Sequence, residues 1–410
     1  MSQVAVERRG ADEKAWLDEL VAAATERVPF YRDHLAGADT SSLASLPSFD
    51  KQTTGEHGRF PLSAGGAAGA HRVVATSGTT GDRLCVAFDR KDWNRTGDWL
   101  EEVGRRAGLA LGDVLLNTHC YGLWVGGPAL DLIAQRTGAG LMPVGPMEPG
   151  AVLRFLAEGI GTAISATPSY LRRLVEAADA TGVDLAASGL RLGFIGAEPA
   201  EPSLRRKLLI RLPAGFQWIE LYGLTETGGP SVAFGPDPAV PELVLNTRGF
   251  RAEVLDLESD VPAEAGAVGE LTLTTRATDF RTPLIRYRTR DLVRVTEGDS
   301  GSPTRISRIL GRTDEALKVG GVLVYPSAVA EIISELLPAS TEWRAVLRRG
   351  EPDDELFVEA EADPSPCRAV EFAFRNRVGL NVSVKSAGAG ALARSRDKTQ
   401  RILVDSSDRA

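Results

Sequence analysis

What the chain lacks narrows its chemistry first. Three cysteines, Cys85, Cys120 and Cys367, lie far apart in 410 residues, so neither a disulfide framework nor a zinc set with paired spacing can be built. That points to a reducing compartment and makes a cytoplasmic enzyme the leading class. Of the four histidines, His34, His57, His71 and His119, no two have metal-ligand spacing, which leaves histidine-based metal catalysis without ligands. No run approaches the roughly 18 apolar residues that span a bilayer, and residues 1–18 carry charges in place of a signal-peptide core. Aromatics are only 6% of the chain. Lysine is scarce as well, seven against 40 arginines, a bias that codon usage explains better than function does. Arginine content alone therefore argues little. The formal charge of −8 disfavours nucleic acid and favours small-molecule or protein partners.

What is present is enough for two or three folding units, since 43% of the residues are hydrophobic. Trp16, Leu17, Leu20, Val21 and Ala24 recur at helical spacing until Pro29, which predicts an amphipathic helix docked on a larger body. Apolar runs at Val114 to Leu116, Gly161 to Ile164 and Leu192 to Ile195 alternate with helical stretches at Ser169 to Ala178 and Ser203 to Leu212. The pattern turns to period two between Arg251 and Thr275. Beyond a polar stretch at Gly311 to Asp314 the tail has its own apolar stripe, Val329, Ile332, Ile333 and Leu336, after Pro326 at a helix start. The expected fold class is α/β: a large, multi-subdomain N-terminal body over residues 1–311 with an antiparallel β portion, and a small α+β C-terminal domain over 312–410.

Five segments carry chemistry. Thr76-Ser77-Gly78-Thr79-Thr80-Gly81 has only hydroxyl side chains or none, so its backbone N–H groups can approach a polyphosphate closely. Read alone, it serves as readily as a flexible turn, and Asp82 and Arg83 replace the Gly-Lys-Ser/Thr ending of the common P-loop. Tyr222-Gly223-Leu224-Thr225-Glu226-Thr227-Gly228-Gly229 offers an aromatic face for a purine and a carboxylate beside a hydroxyl for Mg²⁺; the plain alternative is a strand end with an exposed Glu. In Ile285-Arg286-Tyr287-Arg288-Thr289-Arg290-Asp291 the single carboxylate suits a ribose diol, though such a stretch alone is more often a solvated charge run. Gly311-Arg312-Thr313-Asp314, with Lys318, Gly320 and Gly321, marks the boundary. Arg394-Ser395-Arg396-Asp397-Lys398 ends in a lysine that can neutralise a phosphoryl group in flight.

Taken together, in this order, the five segments resemble those of the adenylate-forming, AMP-binding enzymes, and most closely the phenylacetate-CoA ligase branch. The resemblance runs from about Trp16 to Val404. It includes Val28-Pro29-Phe30-Tyr31, Tyr121-Gly122-Leu123-Trp124, Ala166-Thr167-Pro168-Ser169-Tyr170-Leu171, Gly196-Ala197-Glu198-Pro199 and the segment Pro283 to Leu292. It implies that Ser77, Gly78, Thr79, Thr80 and Gly81 hold ATP phosphates, and that Gly196, Ala197, Glu198, Tyr222 and Gly223 enclose adenine. It also implies that Thr225 and Glu226 serve phosphate and Mg²⁺, Asp291 binds ribose and Arg312 lies near the nucleotide. Asp314 becomes the hinge of a mobile C-terminal domain, and Lys398 the adenylation lysine.

The implied reaction is acyl-adenylate formation with release of pyrophosphate, then transfer to CoA. The alternative acceptor is a carrier-protein thiol or an amine in a biosynthetic pathway. Tyr121, Gly122, Trp124, Ala166, Pro168, Gly228 and Pro230 would line an acid pocket suited to a flat aryl or arylacetic acid. A homodimer is expected from the resemblance only, and no membrane partner is expected. The chain departs from the pattern in three places. Asp82-Arg83 stands where relatives have Lys-Pro, which removes a positive charge from the phosphate loop. Residues 234–243 hold no Cys or His, so no zinc is expected. Asp397 replaces the glycine before Lys398. Asp131, in a helical stretch, either faces solvent, the favoured reading, or enters the acid pocket and selects an amino-substituted ring.

Overall fold

A computed structural model describes residues 3–76, 83–237, 240–319, 322–348, 355–392 and 401–405. The chain forms two compact units, each built from two separate stretches: Met1–Gly145 with Trp218–Ile309, and Pro146–Gln217 with Leu310–Ala410.

In the first unit the N-terminal helix runs Gln3–Arg27, and Pro29 both ends it and opens a short helix, Pro29–His34. Leu17, Leu20 and Ala24 are buried from the first helix, Phe30 and Tyr31 from the second, in one cluster with Phe49, Leu284, Ile285 and Tyr287. The expected docking surface is thus the segment just before the strand Tyr287–Val293. The helices Arg90–Arg106 and Gly126–Thr137 pack closely at Gly104, where a Cβ would lie 2.8 Å from Thr137 and 2.9 Å from Ile133. Val114–Asn117 pairs in parallel with Gly140–Met142. The expected change to antiparallel structure is present: Phe250–Leu255, Gly269–Thr275 and Tyr287–Val293 form one antiparallel series. Gln217–Leu224, Gly229–Gly235, Glu242–Leu245, Ser302–Ser307 and Val295–Asp299 form another. Their facing apolar residues, among them Val232, Leu243, Val254, Leu271 and Ile306, make a shared core.

In the second unit the strands Ala163–Ala166 and Leu192–Gly196 pair in parallel. The helices Pro149–Ala157, Pro168–Thr181 and Pro202–Leu209 each start with proline, whose missing N–H costs nothing in a first turn. The tail contributes helices Pro326–Leu336 and Pro364–Val378 and a sheet in the order Ser383–Ser386, Glu355–Ala360, Trp343–Arg348, Ile402–Asp405, closed over Val329, Ile333, Val358, Val370 and Phe374. This is a small α+β core.

The tail packs with a stretch, 146–217, that spacing along the chain assigns to the body, and the reason is charge pairing between residues distant in sequence. Arg172, buried on its helix, donates to Glu342 at 2.7 Å and to Glu176 at 2.7 Å. Arg401 reaches the other oxygen of Glu342 at 2.5 Å. Lys207 donates to the carbonyl of Leu337 at 2.6 Å, capping the end of Pro326–Leu336.

Candidate functional site

The hydroxyl- and glycine-rich segment hangs from a hairpin. Arg72–Ala75 pairs antiparallel with Cys85–Phe88, and Ala75 faces Cys85. Thr76 closes the neck: its N–H donates to the Leu84 carbonyl at 2.9 Å, and its hydroxyl accepts from the Leu84 N–H at 3.2 Å. Ser77, Gly78, Thr79, Thr80, Gly81 and Asp82 lie outside the described residues. Arg83 is exposed, with its guanidinium carbon 6.0 Å from the centre of the Trp124 ring. One cation at the neck went unseen in the sequence: Lys51 donates to Thr76 Oγ1 at 2.9 Å across 25 positions. A lone lysine in a polar stretch gives no local signal of this.

Tyr222 and Glu226 come from one strand and the turn after it, and both reach the strand Tyr287–Val293 that carries Asp291. Gln217–Leu224 runs into a single tight turn, Thr225–Thr227, that ends at Gly228 with φ 84°. Gly223 cannot be replaced there, because a Cβ would lie 1.9 Å from the Gly229 carbonyl oxygen. Tyr222 donates its hydroxyl to Asp291 Oδ2 at 2.6 Å, and Tyr287, four residues before Asp291, donates to Glu226 Oε1 at 3.0 Å. Glu226 and Asp291 are each 5% exposed. Glu226 is therefore not the exposed strand-end residue of the plain alternative.

The solvated-run alternative fails for residues 285–291 as well. Arg286 is fully buried and bound by both oxygens of Glu253, at 3.1 and 3.2 Å, and Arg290 pairs with Asp50. Arg286 and Arg290 also hold positive φ, 51° and 69°, strain that this pairing helps to offset. A cleft of about 480 Å³ beside them is lined by Asp50, Glu258, Asp260, Glu270, Arg288 and Arg290, and both of its arginines are engaged by its own carboxylates. With four acidic groups against two basic ones, it is a poor match for a phosphate.

The metal chemistry expected at Glu226 fits what is present. No cluster of three or more His, Cys, Asp or Glu able to hold an ion exists among the described residues, so no all-protein cage is on view. A single buried carboxylate with one oxygen bound to Tyr287 and the other without a hydrogen bond among the described residues, next to the Thr225 hydroxyl, suits Mg²⁺ that brings phosphate oxygens with it.

On the acid side, Tyr121, Gly122, Trp124, Gly228 and Pro230 belong to the first unit, and Ala166 and Pro168 to the second. Asp131 corrects the favoured reading: it does not simply face solvent. It is half-buried on Gly126–Thr137, and its Oδ1 accepts from the Tyr121 hydroxyl at 2.8 Å and from Asn117 Nδ2 at 2.9 Å. The Tyr121 hydroxyl is pushed well above the usual phenol range, by burial first and then by the Asp131 carboxylate. Asn117 is fully buried and also donates to the Gly127 carbonyl at 2.8 Å, so it ties the Tyr121 segment to the helix start. These contacts span 10 and 14 positions, which is why periodicity missed them.

In the second unit Gly196 ends its strand and Ala197 turns the chain with φ 69°, a costly conformation for alanine. Glu198 follows. Its Oε2 accepts from the Ser169 N–H at 3.2 Å, while Oε1 is buried without a partner among the described residues, leaving an acceptor for an amine. Ala166 is buried at a strand end, and Pro168 opens the next helix behind its Thr167 cap. Arg312 clasps exposed Asp314 at 2.9 and 3.1 Å. Gly320, Gly321, Asp397 and Lys398 lie outside the described residues.

Residues 73–278 match the family described as AMP-binding enzyme, and residues 321–406 match the AMP-binding enzyme C-terminal domain. Two relatives are phenylacetate-coenzyme A ligases. That of Escherichia coli is 29% identical, over 95% of this chain and 96% of its own. That of Thermus thermophilus is 32% identical, over 84% of this chain and 79% of its own. Among solved structures, a 2-hydroxyisobutyryl-CoA ligase in a postadenylation state is similar with a TM-score of 0.83 at 21% identity, covering 96% of this chain and 90% of that one.

Proposed function

The chain belongs to the AMP-binding enzyme family, and from that premise we infer that it activates a carboxylic acid with ATP and passes the acyl group to CoA. A carboxylate oxygen attacks the α-phosphorus, the bond to pyrophosphate breaks, and an acyl-adenylate results. The CoA sulfur then attacks the acyl carbon, the thiol proton is lost, and AMP leaves as the thioester forms. The observation that carries this reading is the buried pair Glu226 and Asp291, each held in place by a tyrosine hydroxyl.

The roles follow from what each side chain offers. Asp291, fixed by Tyr222, accepts the ribose hydroxyls. Glu226 and Thr225 hold Mg²⁺, which neutralises phosphate charge when bound. Ser77, Gly78, Thr79, Thr80 and Gly81 wrap the phosphates, and Tyr222, Gly223, Gly196, Ala197 and Glu198 border adenine, a role that the Glu198 oxygen without a partner among the described residues suits as an acceptor. Arg312 lies near the nucleotide. Lys398 supplies positive charge to the carboxylate and α-phosphate oxygens. Asp314 is the hinge on which residues 312–410 turn between the two half-reactions.

The acid is a flat aryl or arylacetic one, a reading supported by Tyr121 and Trp124 among small residues and by the phenylacetate ligases to which the chain is similar. ATP consumption across a panel of aryl acids, with and without CoA, tests the whole scheme. AMP and thioester accumulating together only when CoA is present is the expected result. An adenylate that CoA leaves untouched would move the acyl group to a carrier-protein thiol or an amine.

A further inference from the structure

The Asp82-Arg83 departure takes a positive charge out of the segment that the resemblance assigns to the phosphates, and a lysine distant in sequence, Lys51, reaches Thr76 just before that segment. Lys51 sits on a turn braced at both ends. Asp50 accepts from the Thr53 N–H and hydroxyl at 2.9 Å each, and the Thr54 hydroxyl donates to the Lys51 carbonyl at 2.8 Å. The turn hangs from the strand that carries Asp291: the Arg288 N–H donates to the Phe49 carbonyl at 2.7 Å, and the Phe49 N–H to the Arg286 carbonyl at 3.2 Å. From there the half-buried Lys51 ammonium reaches the Thr76 hydroxyl at the neck of the loop.

The charge at this place has no counter-ion among the described residues. Neighbouring Asp50 is taken by Arg290 and Thr53, and Lys51 donates to no described carboxylate. An ammonium has three donors, and only the neutral Thr76 hydroxyl receives one. Holding a partly desolvated cation without an anion is unfavourable, so the arrangement suits an anion that arrives from outside. Arg83 is a poorer source of the charge, being exposed and lying over Trp124.

We infer that Lys51 binds the triphosphate of ATP and takes the place of the cation missing after Gly81. The inference rests on the reading of this unit as an ATP site. Its test compares the wild type with Lys51→Met and Lys51→Arg in pyrophosphate exchange, in thioester formation from preformed acyl-adenylate, and in thermal stabilisation by MgATP alone. Lys51→Met is expected to raise KM for ATP about tenfold or more, as loss of a charged hydrogen bond does, and to leave KM for the acid within about twofold. Lys51→Arg should restore most of the loss, and use of preformed adenylate should be unchanged in both.

Equal stabilisation of wild type and Lys51→Met by MgATP, or an unchanged KM for ATP, would overturn the inference. So would a loss that falls equally on ATP and acid with no recovery in Lys51→Arg, since that marks a structural lysine. If the wild type binds MgATP but turns over no acid, the acid-activation reading falls, and the MgATP melt still decides the case for Lys51.

Discussion

Arg286 and Asp131 show how far a residue type can mislead when read in one dimension. Along the chain Arg286 belongs to a cationic stretch that looks solvated, yet it is fully buried, and the carboxylate that makes burial tolerable, Glu253, is 33 positions away. Asp131 looks like a solvated helix residue, yet one of its oxygens is taken by Tyr121 and Asn117. Its other oxygen accepts no hydrogen bond among the described residues, and its charge is shared with the Arg72 guanidinium, so a donor on the acid would still find an acceptor there if the acid lies beside Tyr121. Aryl acids bearing a ring amine are therefore expected to be used better than the unsubstituted ring. Asp131→Asn should cut that preference about tenfold or more in kcat/KM, because a site built to meet a donor leaves a buried acceptor unpaired without it. A panel in which amino substitution brings no gain, and Asp131→Asn changes nothing, would show that Asp131 only holds Tyr121. Of the segments singled out along the sequence, those of Tyr222 and Asp291 do meet, through the Tyr222–Asp291 and Tyr287–Glu226 hydrogen bonds; Lys51 was not legible, because nothing local distinguishes it.

The helices and strands were the most legible part. Leu17, Leu20 and Ala24 repeat at the spacing a helix buries, and Val329, Ile332 and Ile333 do the same in the tail. What local spacing could not reveal is which elements pack together, because the contacts that join Pro168–Thr181 and Pro202–Leu209 to the tail are ion pairs and caps between distant positions. Glu201, just before the helix Pro202–Leu209, makes this junction pH-sensitive. Burial first, and then the negative charges of Glu331 and Glu198, push its carboxyl up to about 7 against the pull of Arg401. The folded state thus keeps a proton that the unfolded chain gives up near pH 4.5. The stabilisation is complete below that pH and is lost as pH rises to about 7. Melting temperatures measured across this range should fall in the wild type and fall less in Glu201→Gln, which stays neutral throughout. Parallel curves for the two proteins would remove Glu201 from the account.

For the molecule as a whole, composition already left disulfide and histidine-metal chemistry without the residues they need, and its charge of −8 favoured small-molecule or protein partners over nucleic acid. The scarcity of lysine sharpens into a specific expectation, that two of only seven, Lys51 and Lys398, are those on which use of ATP depends. The central claim is that this protein joins a carboxylate to AMP before any thiol is involved. Exchange of labelled pyrophosphate into ATP, with CoA absent, measures that step alone. The account predicts exchange that appears only when an aryl or arylacetic acid is added and that Lys398→Ala abolishes. No exchange with any acid, or exchange indifferent to Lys398, would contradict it.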